Sequence, residues 1–584
     1  MSLHLVTTAD ERSWPKKGKV LFLGEWCKKY DRKSQWSKAE STVARPYAID
    51  PDQKKDIHKY ADNLFEILLC ELVKELNRFH GVGHSKRYWY IFIGPWLHRY
   101  IKVILNRYGS LSQAISSHKI STTTILEFEK EDMSNLTYSG FVHSLNNDSW
   151  NHQIYANMLQ NWPNIGLNFI NKNVEQSSDI FKKEVKNKTL GRNKYLKNLV
   201  LIFFRFLTIF ERKTDAVIIN SYLPIIKEIQ LSILLGQIPQ LRKTPEVDDV
   251  CSDPSFRNKF FQNYKRYKGV ERELRRMIHI LIPRCYLEGY KSISMQSKRM
   301  PWPSEPRFVF TSNNFSSDEL FKLWVAKKIE NGTAYYVGQH GSNYGTLKGS
   351  EIWPEINTCD RFISWGWSSA YSVNKAMPAF VFKTISRSYG GYNKNGGAVL
   401  ILRGPGNRDG CHDRCFEHIS YQEKVLNFYN NLHGNIADKF TIRLHHGSSD
   451  KKTVDSQTWS SQNSKAVVDE GFTDLNRLIR KSRIVIHTYD SSGILETLSL
   501  NIPTIGFWSG GLDHVMTSAL PFYQELADVG IIHLDNKSVE VFLNENWDSI
   551  EVWWHSKKVQ KARLKFCNRY ARRVSHPLLS LKKT

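Results

Sequence analysis

The sequence predicts an α/β protein built on parallel, doubly wound sheets. Two observations carry that prediction. Short apolar runs alternate with helical patterns on both sides of a Gly-rich stretch, SRSYGGYNKNGG, at residues 386–397. A complete β-turn-α-β unit, SRIVIHTYDSSGILETLSLNIPTIGFW, then occupies residues 482–508. In that unit residues 484–486 are a buried strand, 488–493 a polar turn, a helix starts near Ile494, and 502–507 return as a second buried strand.

The remaining elements follow in order. Residues 20–23 form a strand that runs into Gly24, Glu25 and Trp26, and an amphipathic helix covers 53–80. YWYIFIGPW, at 88–96, reads as a second apolar strand or a helix start, and 97–300 as mostly helical. The α/β rhythm returns with RFVFTSN (307–313), a capped helix (316–332), a strand and loop in TAYYVGQHG (333–341), and DRFISWGW (360–367). Beyond the Gly-rich linker come strands at 398–404, 439–447, 466–468, the unit at 482–508, and 530–534. The predicted architecture is two Rossmann-like domains facing a cleft. Its parts are an N-terminal domain at 1–385 with a large helical insertion at about 97–300, a donor domain at 386–545, and a C-terminal helical segment at 546–584 that packs back on the first domain.

Composition narrows the function. The chain has 584 residues, room for several average domains, and an ordinary globular balance of 41% hydrophobic and 24% charged residues. Its 82 Lys and Arg against 57 Asp and Glu leave a net charge of +25, which calls for an anionic partner. The basic residues are spread along the chain and match no nucleic-acid module, so nucleic acid is not the expected partner. The 8 cysteines form no disulfide framework, and the first residues lack an apolar signal core, so a reduced, cytoplasmic protein is expected. The most apolar stretch, at 198–210, contains Arg205 and is too short to cross about 30 Å of hydrocarbon. A basic run at 182–197 precedes it. Together they suit peripheral contact with an anionic membrane at its inner face.

Ligands in such sheets bind at the carboxyl ends of strands. Beyond the linker those ends carry Arg403 with the loop GPGNRD, Arg443 with His445 and His446, and the trio Ser491, Ser492 and Glu496. Before it they carry Gly24, Glu25, Gln339, His340 and Gly341, with Glu319 near the end of the strand at 307–313. The serines beside the free N–H groups of a helix start make an anion site, and Glu496, one turn on, can accept from ribose hydroxyls. The plainer alternative is that Ser491 caps the helix and Glu496 completes a capping box. CHDRCFEH, at 411–418, packs two Cys and two His too tightly for a paired-knuckle zinc site, so no metal is expected.

The peptides LFLGEWC, GQHGSNYGT, DRFISWGW and ETLSLNIPTIGFW resemble a bacterial family of transferases encoded in surface-polysaccharide loci. That family is similar to the retaining transferases of Kdo and of nonulosonic acids such as pseudaminic or legionaminic acid. The resemblance implies a two-domain GT-B fold and a metal-independent glycosyltransferase that uses a CMP-activated acidic sugar and no cofactor. It also implies a glycan acceptor, including a lipid-linked one, in capsule or O-antigen synthesis. In the similar enzymes a Ser-Ser motif before a helix and a His-Pro motif after a strand hold the CMP phosphate and donor carboxylate. Ser491 and Ser492 match the first motif. RLHHGSSD lacks the proline of the second, which leaves His446 as the preferred match.

Asp409 is the nearest match to the nucleophilic aspartate of the Kdo enzymes. His340 or Glu25 on the opposing domain is then the base for the acceptor, while Arg403 and Arg443 neutralise the departing phosphate. Gln339, Gly341 and Glu319 complete the acceptor side. Three rivals remain: a teichoic-acid-type glycerophosphotransferase, a UDP-sugar glycosyltransferase and a basic nucleic-acid-binding protein.

Overall fold

The computed structural model describes residues 2–29, 32–127, 133–171, 210–350, 353–368, 376–404, 408–445, 459, 467–508 and 510–583. Its strands form three sheets. The first contains β1 (Leu3–Val6), β2 (Val20–Phe22), β3 (Ser41–Val43), β4 (Ile120–Glu127) and β5 (Gly166–Asn171), in the order β3-β2-β1-β4-β5. The middle sheet contains β6 (Val217–Ile219), β7 (Phe308–Thr311), β8 (Ala334–Gly338), β9 (Arg361–Ser364) and β10 (Ala376–Pro378), laid side by side in chain order. The third contains β11 (Gly397–Ile401), β12 (Phe440–Arg443), β13 (Val467–Asp469), β14 (Ser482–His487), β15 (Thr504–Phe507) and β16 (Ile532–His533), in the order β13-β12-β11-β14-β15-β16. Every recorded pairing within the three sheets is parallel.

The helices that position the site are α1 (Pro51–His80), α2 (Lys86–Ser117), α3 (Asp148–Leu159), α4 (Ile225–Leu234), α5 (Glu319–Glu330), α6 (Pro354–Thr358), α7 (Arg414–Asn430), α8 (Leu475–Lys481), α9 (Ser492–Ser499), α10 (Lys557–Tyr570) and α11 (Pro577–Lys583). The apolar run YWYIFIGPW lies inside α2. Ser85 caps that helix by accepting from the N–H of Tyr88. Trp89, Trp96 and Tyr100 are fully buried, so α2 is apolar on most of its circumference because it runs through the core.

The carboxyl edges of the middle and third sheets face each other, which is the GT-B-like α/β arrangement expected from the sequence. The N–H of Ser342, beyond β8, donates to Ser492 Oγ at the start of α9 at 2.9 Å. Leu347 and Val515 form an antiparallel bridge between the same two units. The N-terminal sheet differs from the expectation. Residues 97–300 contain β4, β5 and β6 as well as helices, and β1 to β5 form a complete sheet of their own. This sheet shares one apolar core with the middle sheet, through side chains such as Leu5, Trp96, Tyr286, Leu323 and Tyr335. The third sheet encloses a separate core around Leu400, Phe428, Ile442, Ile486 and Phe507.

The chain end returns to the middle sheet. The N–H of Arg572 donates to the carbonyl of Trp365 and its carbonyl accepts from Val381, while Leu581 joins the cluster around Phe310 and Ile363. Gly366, at φ +131, allows this crossing, since a Cβ there would lie 2.8 Å from the Arg572 side chain.

A second junction holds the loop after β11 against the first sheet. Arg408 lies over the ring of Trp26 at 4.0 Å and donates to Tyr155 Oη at 2.7 Å, and its carbonyl accepts from Arg107 at 2.8 Å. Asp409 pairs with Arg99 of α2 and with Arg414 of α7. The first sheet reverses strand order between β1 and β4, and Arg408 packs on side chains from that edge, Trp26 after β2 and Tyr155 on α3.

Breaking this junction is expected to be costly. Asp409→Asn leaves two guanidinium groups without their carboxylate, and a loss of about 2 to 3 kcal/mol is expected, the low end for a buried pair because Arg414 is 39% exposed. Urea unfolding followed by tryptophan fluorescence measures it; an unchanged midpoint would show that the junction does not hold the third sheet in place.

Candidate active site

The third sheet reverses strand order between β11 and β14, so the crevice lies between their carboxyl ends. Arg403 stands just past β11. Its N–H donates to Tyr421 Oη at 2.8 Å, and Tyr421 is paired at 2.5 Å with Thr488 Oγ1, which donates to the carbonyl of Ile401 at 2.8 Å. That chain fixes the backbone and leaves the guanidinium stacked over Tyr421 at 4.6 Å. Burial lowers the Arg403 pKa, and its Nε is buried with no hydrogen-bond partner among the described residues. A buried donor without an acceptor is costly, and an arriving anion would relieve it.

The start of α9 completes the crevice. Ser491 is its N-cap by position, yet its Oγ meets His487 Nδ1 at 3.2 Å and makes no cap bond. Ser492 Oγ is taken by the Ser342 N–H, and Glu496 pairs with Arg387 at 2.6 Å instead of closing a capping box. Among the described residues the α9 N-cap therefore gives no side-chain acceptor to the helix start, although the Ile494 N–H bonds the Ser491 carbonyl. Beside Glu496 a cavity of about 80 Å³ runs between α8 and α9, floored by Leu475, Ile479 and Leu500 and edged by Asn476, Arg480 and Arg387.

On the opposite face His340 follows β8. Its Nδ1 lies 3.1 Å from Tyr344 Oη, and Tyr344 donates to Glu355 Oε1 of α6 at 2.7 Å. With the tyrosine proton committed to Glu355, Nδ1 carries the imidazole proton and Nε2 is left as the basic nitrogen. Nε2 makes no hydrogen bond among the described residues. Tyr222 stacks on the ring at 6.1 Å and Phe315 lies at 5.7 Å. Burial, helped by Lys383, lowers the His340 pKa from 6.5 to about 4. Lys383 sits over the Tyr222 ring at 4.5 Å, and burial lowers its pKa too.

Other predicted residues hold structure instead. Gln339 is fully engaged: Nε2 donates to the Gly341 carbonyl at 2.8 Å, and Oε1 accepts from the Trp365 N–H and the Trp367 indole. It shapes the loop that presents His340. Gly341 permits the approach of α9, because a Cβ there would lie 2.8 Å from Ser492 Oγ. Glu319 is buried in the core, accepting from the Tyr138 N–H at 2.8 Å and pairing with Lys322 at 2.8 Å. It does not face the cleft. Arg443 is spent on Asp469 and the carbonyls of Gly471 and Thr473, so it ties down the chain after β13 and is not available to a phosphate.

Glu25 lies at the edge of the first sheet, 3.4 Å from Lys28, and makes no contact with the His340 group. Burial raises the pKa of Asp409, but Arg99 and Arg414 outweigh it and hold the carboxyl below its usual range, with both oxygens occupied. His445 is described, packed against Gly404, whereas His446 and most of residues 182–210 lie outside the described residues. Sequence reasoning missed Tyr344, Glu355, Lys383 and Tyr421. Only Tyr344 carried a signal, four residues past His340 in GQHGSNYGT.

The model of the LIC12162 family transferase matches residues 3–584, essentially the whole chain. The chain belongs to this family of transferases. No curated protein matches the sequence. Among solved structures, the transferase is similar to the spinosyn rhamnosyltransferase SpnG complexed with thymidine diphosphate, at 10% identity over 63% of this chain and 99% of that one, with a TM-score of 0.31. It is also similar to WaaG, a glycosyltransferase involved in lipopolysaccharide biosynthesis, at 10% identity over 63% of this chain and 98% of that one, with a TM-score of 0.29. Similarities this distant carry no argument, and the fold assignment rests on the strand order and the facing edges.

With His340 as the candidate base, which must be neutral to act, kcat/KM is expected to persist down to about pH 4 and to fall as pH drops through the His340 pKa. Lys383→Gln removes a cation that opposes protonation, which moves the acid limb of kcat/KM upward, toward 6.5. His340→Gln is expected to lower kcat by at least about a hundredfold, the usual worth of a general base. An acid limb that stays in place in both variants would remove His340 from proton transfer.

Proposed function

We propose that this transferase moves a nonulosonic acid of the pseudaminic, legionaminic or Kdo type from its CMP-activated donor to a glycan acceptor in surface-polysaccharide synthesis. The observation that supports the reading is Arg403, whose buried Nε has no partner among the described residues, beside the start of α9 and opposite a neutral histidine. A CMP-linked 2-keto acid sugar brings two anions, a phosphodiester and a carboxylate. Arg403 and the α9 N–H groups suit one, and Lys383 suits the other. We place the nucleoside along the groove between α8 and α9, whose enclosed part is about 80 Å³, with Glu496 beside the ribose hydroxyls. A single phosphate needs no metal to neutralise it.

In the step we favour, His340 Nε2 removes the acceptor hydroxyl proton and the freed oxygen attacks the anomeric carbon. The bond from that carbon to the phosphate oxygen breaks, and CMP leaves with the electron pair, held by Arg403 and the start of α9. The expected retaining route needs a free carboxylate nucleophile. Asp409 would have to leave both Arg99 and Arg414 to serve, which disfavours that route. The two routes are separated by intact-protein mass spectrometry with donor and no acceptor, where a glycosyl adduct lost in Asp409→Asn would restore retention.

The donor is tested by nucleotide binding. CMP is expected to raise the melting temperature more than UMP, UDP, TDP or GDP, and Arg403→Gln to weaken CMP binding by about 1.5 to 3 kcal/mol, the worth of hydrogen bonds to a charged group. Calorimetry reads both. A larger response to UDP or TDP with Mg²⁺ would replace the CMP donor by a nucleoside-diphosphate sugar.

A further inference from the structure

We infer that the outer face of α4, with the chain end at 571–583, docks on an anionic lipid bilayer. Helix α4 turns Leu231 inward, where it shares an apolar cluster with Leu581 of α11. Its other side is apolar as well. Ile225, Ile226 and Ile233 are 54%, 65% and 63% exposed, and Ile229 between them lies on the same stripe at helical spacing. Phe210, 59% exposed, borders the same depression as Ile233, and Leu579 on α11 is 51% exposed. Elsewhere exposed apolar side chains stand singly, as Val552 does, or in twos, as Phe416 and Ile419 do, whereas here two touching helices carry several.

Charge identifies the occupant. Lys227 lies on α4 itself, and the exposed Lys582 and Lys583 close α11, the helix that touches it. The acid within α4, Glu228, is turned inward and accepts from Ser221 at 2.5 Å. An aliphatic centre flanked by lysines matches anionic headgroups over acyl chains. Protein interfaces instead concentrate aromatic side chains and Arg at their centre. The face is also close to the site: Tyr222, which stacks on His340, lies three residues before α4. A membrane-anchored acceptor would then reach His340 from the bilayer side. This last step rests on His340 as the base; the docking itself does not.

Co-sedimentation of the full chain with phosphatidylcholine vesicles, with and without phosphatidylglycerol, tests the inference. The protein is expected to sediment with the anionic vesicles and to leave them at high salt. Ile226→Asp with Ile233→Asp, and separately Lys582→Glu with Lys583→Glu, should each weaken binding roughly tenfold or more. Val552→Asp, equally apolar but elsewhere, should not. Both double variants change exposed residues, so an unchanged melting temperature and CMP response show that fold and donor site are intact. The inference falls if the wild type binds neither vesicle or both equally, or if the isoleucine variant binds like the wild type. It also falls if light scattering shows a self-associated form that this variant abolishes, because a second copy would then cover the face.

Discussion

The arrangement depends on burying two consecutive charged residues, Arg408 and Asp409, where the third sheet meets the first. An isolated guanidinium or carboxylate taken out of water loses several kcal/mol of hydration, so both must find partners from another part of the chain. Arg408 finds Tyr155 Oη and the face of Trp26, and Asp409 finds Arg99 and Arg414. Trp26 after β2, Arg99 on α2 and Tyr155 on α3 are far from the pair in sequence, while Arg414 opens α7, the helix that follows it. The loop that carries the pair begins just after Arg403. Holding the loop against the first sheet therefore also sets where Arg403 stands beside β14.

The junction between the middle and third sheets is built differently. At the crevice it has the Ser342–Ser492 hydrogen bond; beside it the N–H of Lys348 donates to the His514 carbonyl and the N–H of Met516 to the Thr346 carbonyl, and Ile494, Leu495, Leu498, Val515 and Met516 lie in the same apolar core as the middle sheet. A single neutral hydrogen bond contributes about 1 kcal/mol, so apolar burial carries more of this junction than the polar contact at the crevice.

Much of this was legible in the sequence, for identifiable reasons. Residues 482–508 announced their fold because two β-branched runs flank a polar turn at the right spacing, and the structure has β14, α9 and β15 there. The run at 88–96 stayed ambiguous because a helix buried all round has no polar face to reveal its period. The first sheet was hidden for a related reason: β4 is the Thr-rich ISTTTILE, set among long helices, and its neighbour β1 is distant in sequence. Position at a strand end singled out Arg403 and His340, but equally Arg443, Asp409 and Glu319. What separates the two groups is whether Asp469, Arg99 or Lys322 arrives to satisfy the charge. That is a tertiary fact, as is the link from Tyr344 to Glu355.

Burial also explains how the crevice manages protons. The low-dielectric surroundings that keep His340 neutral lower the Lys383 pKa as well, with Glu496 opposing and Arg387 adding to it, and the Lys383 cation in turn disfavours protonation of His340. Without a ligand His340 is therefore a weak base. An anion placed between the middle sheet and α9 reverses the balance, because a nearby negative charge raises the pKa of both groups. Lys383 then holds its proton firmly against the anion, and His340 Nε2 gains basicity when there is a donor to be attacked. On the proposed function, base strength would be coupled to donor occupancy through electrostatics, with the Nδ1 side of His340 held by Tyr344 and Glu355.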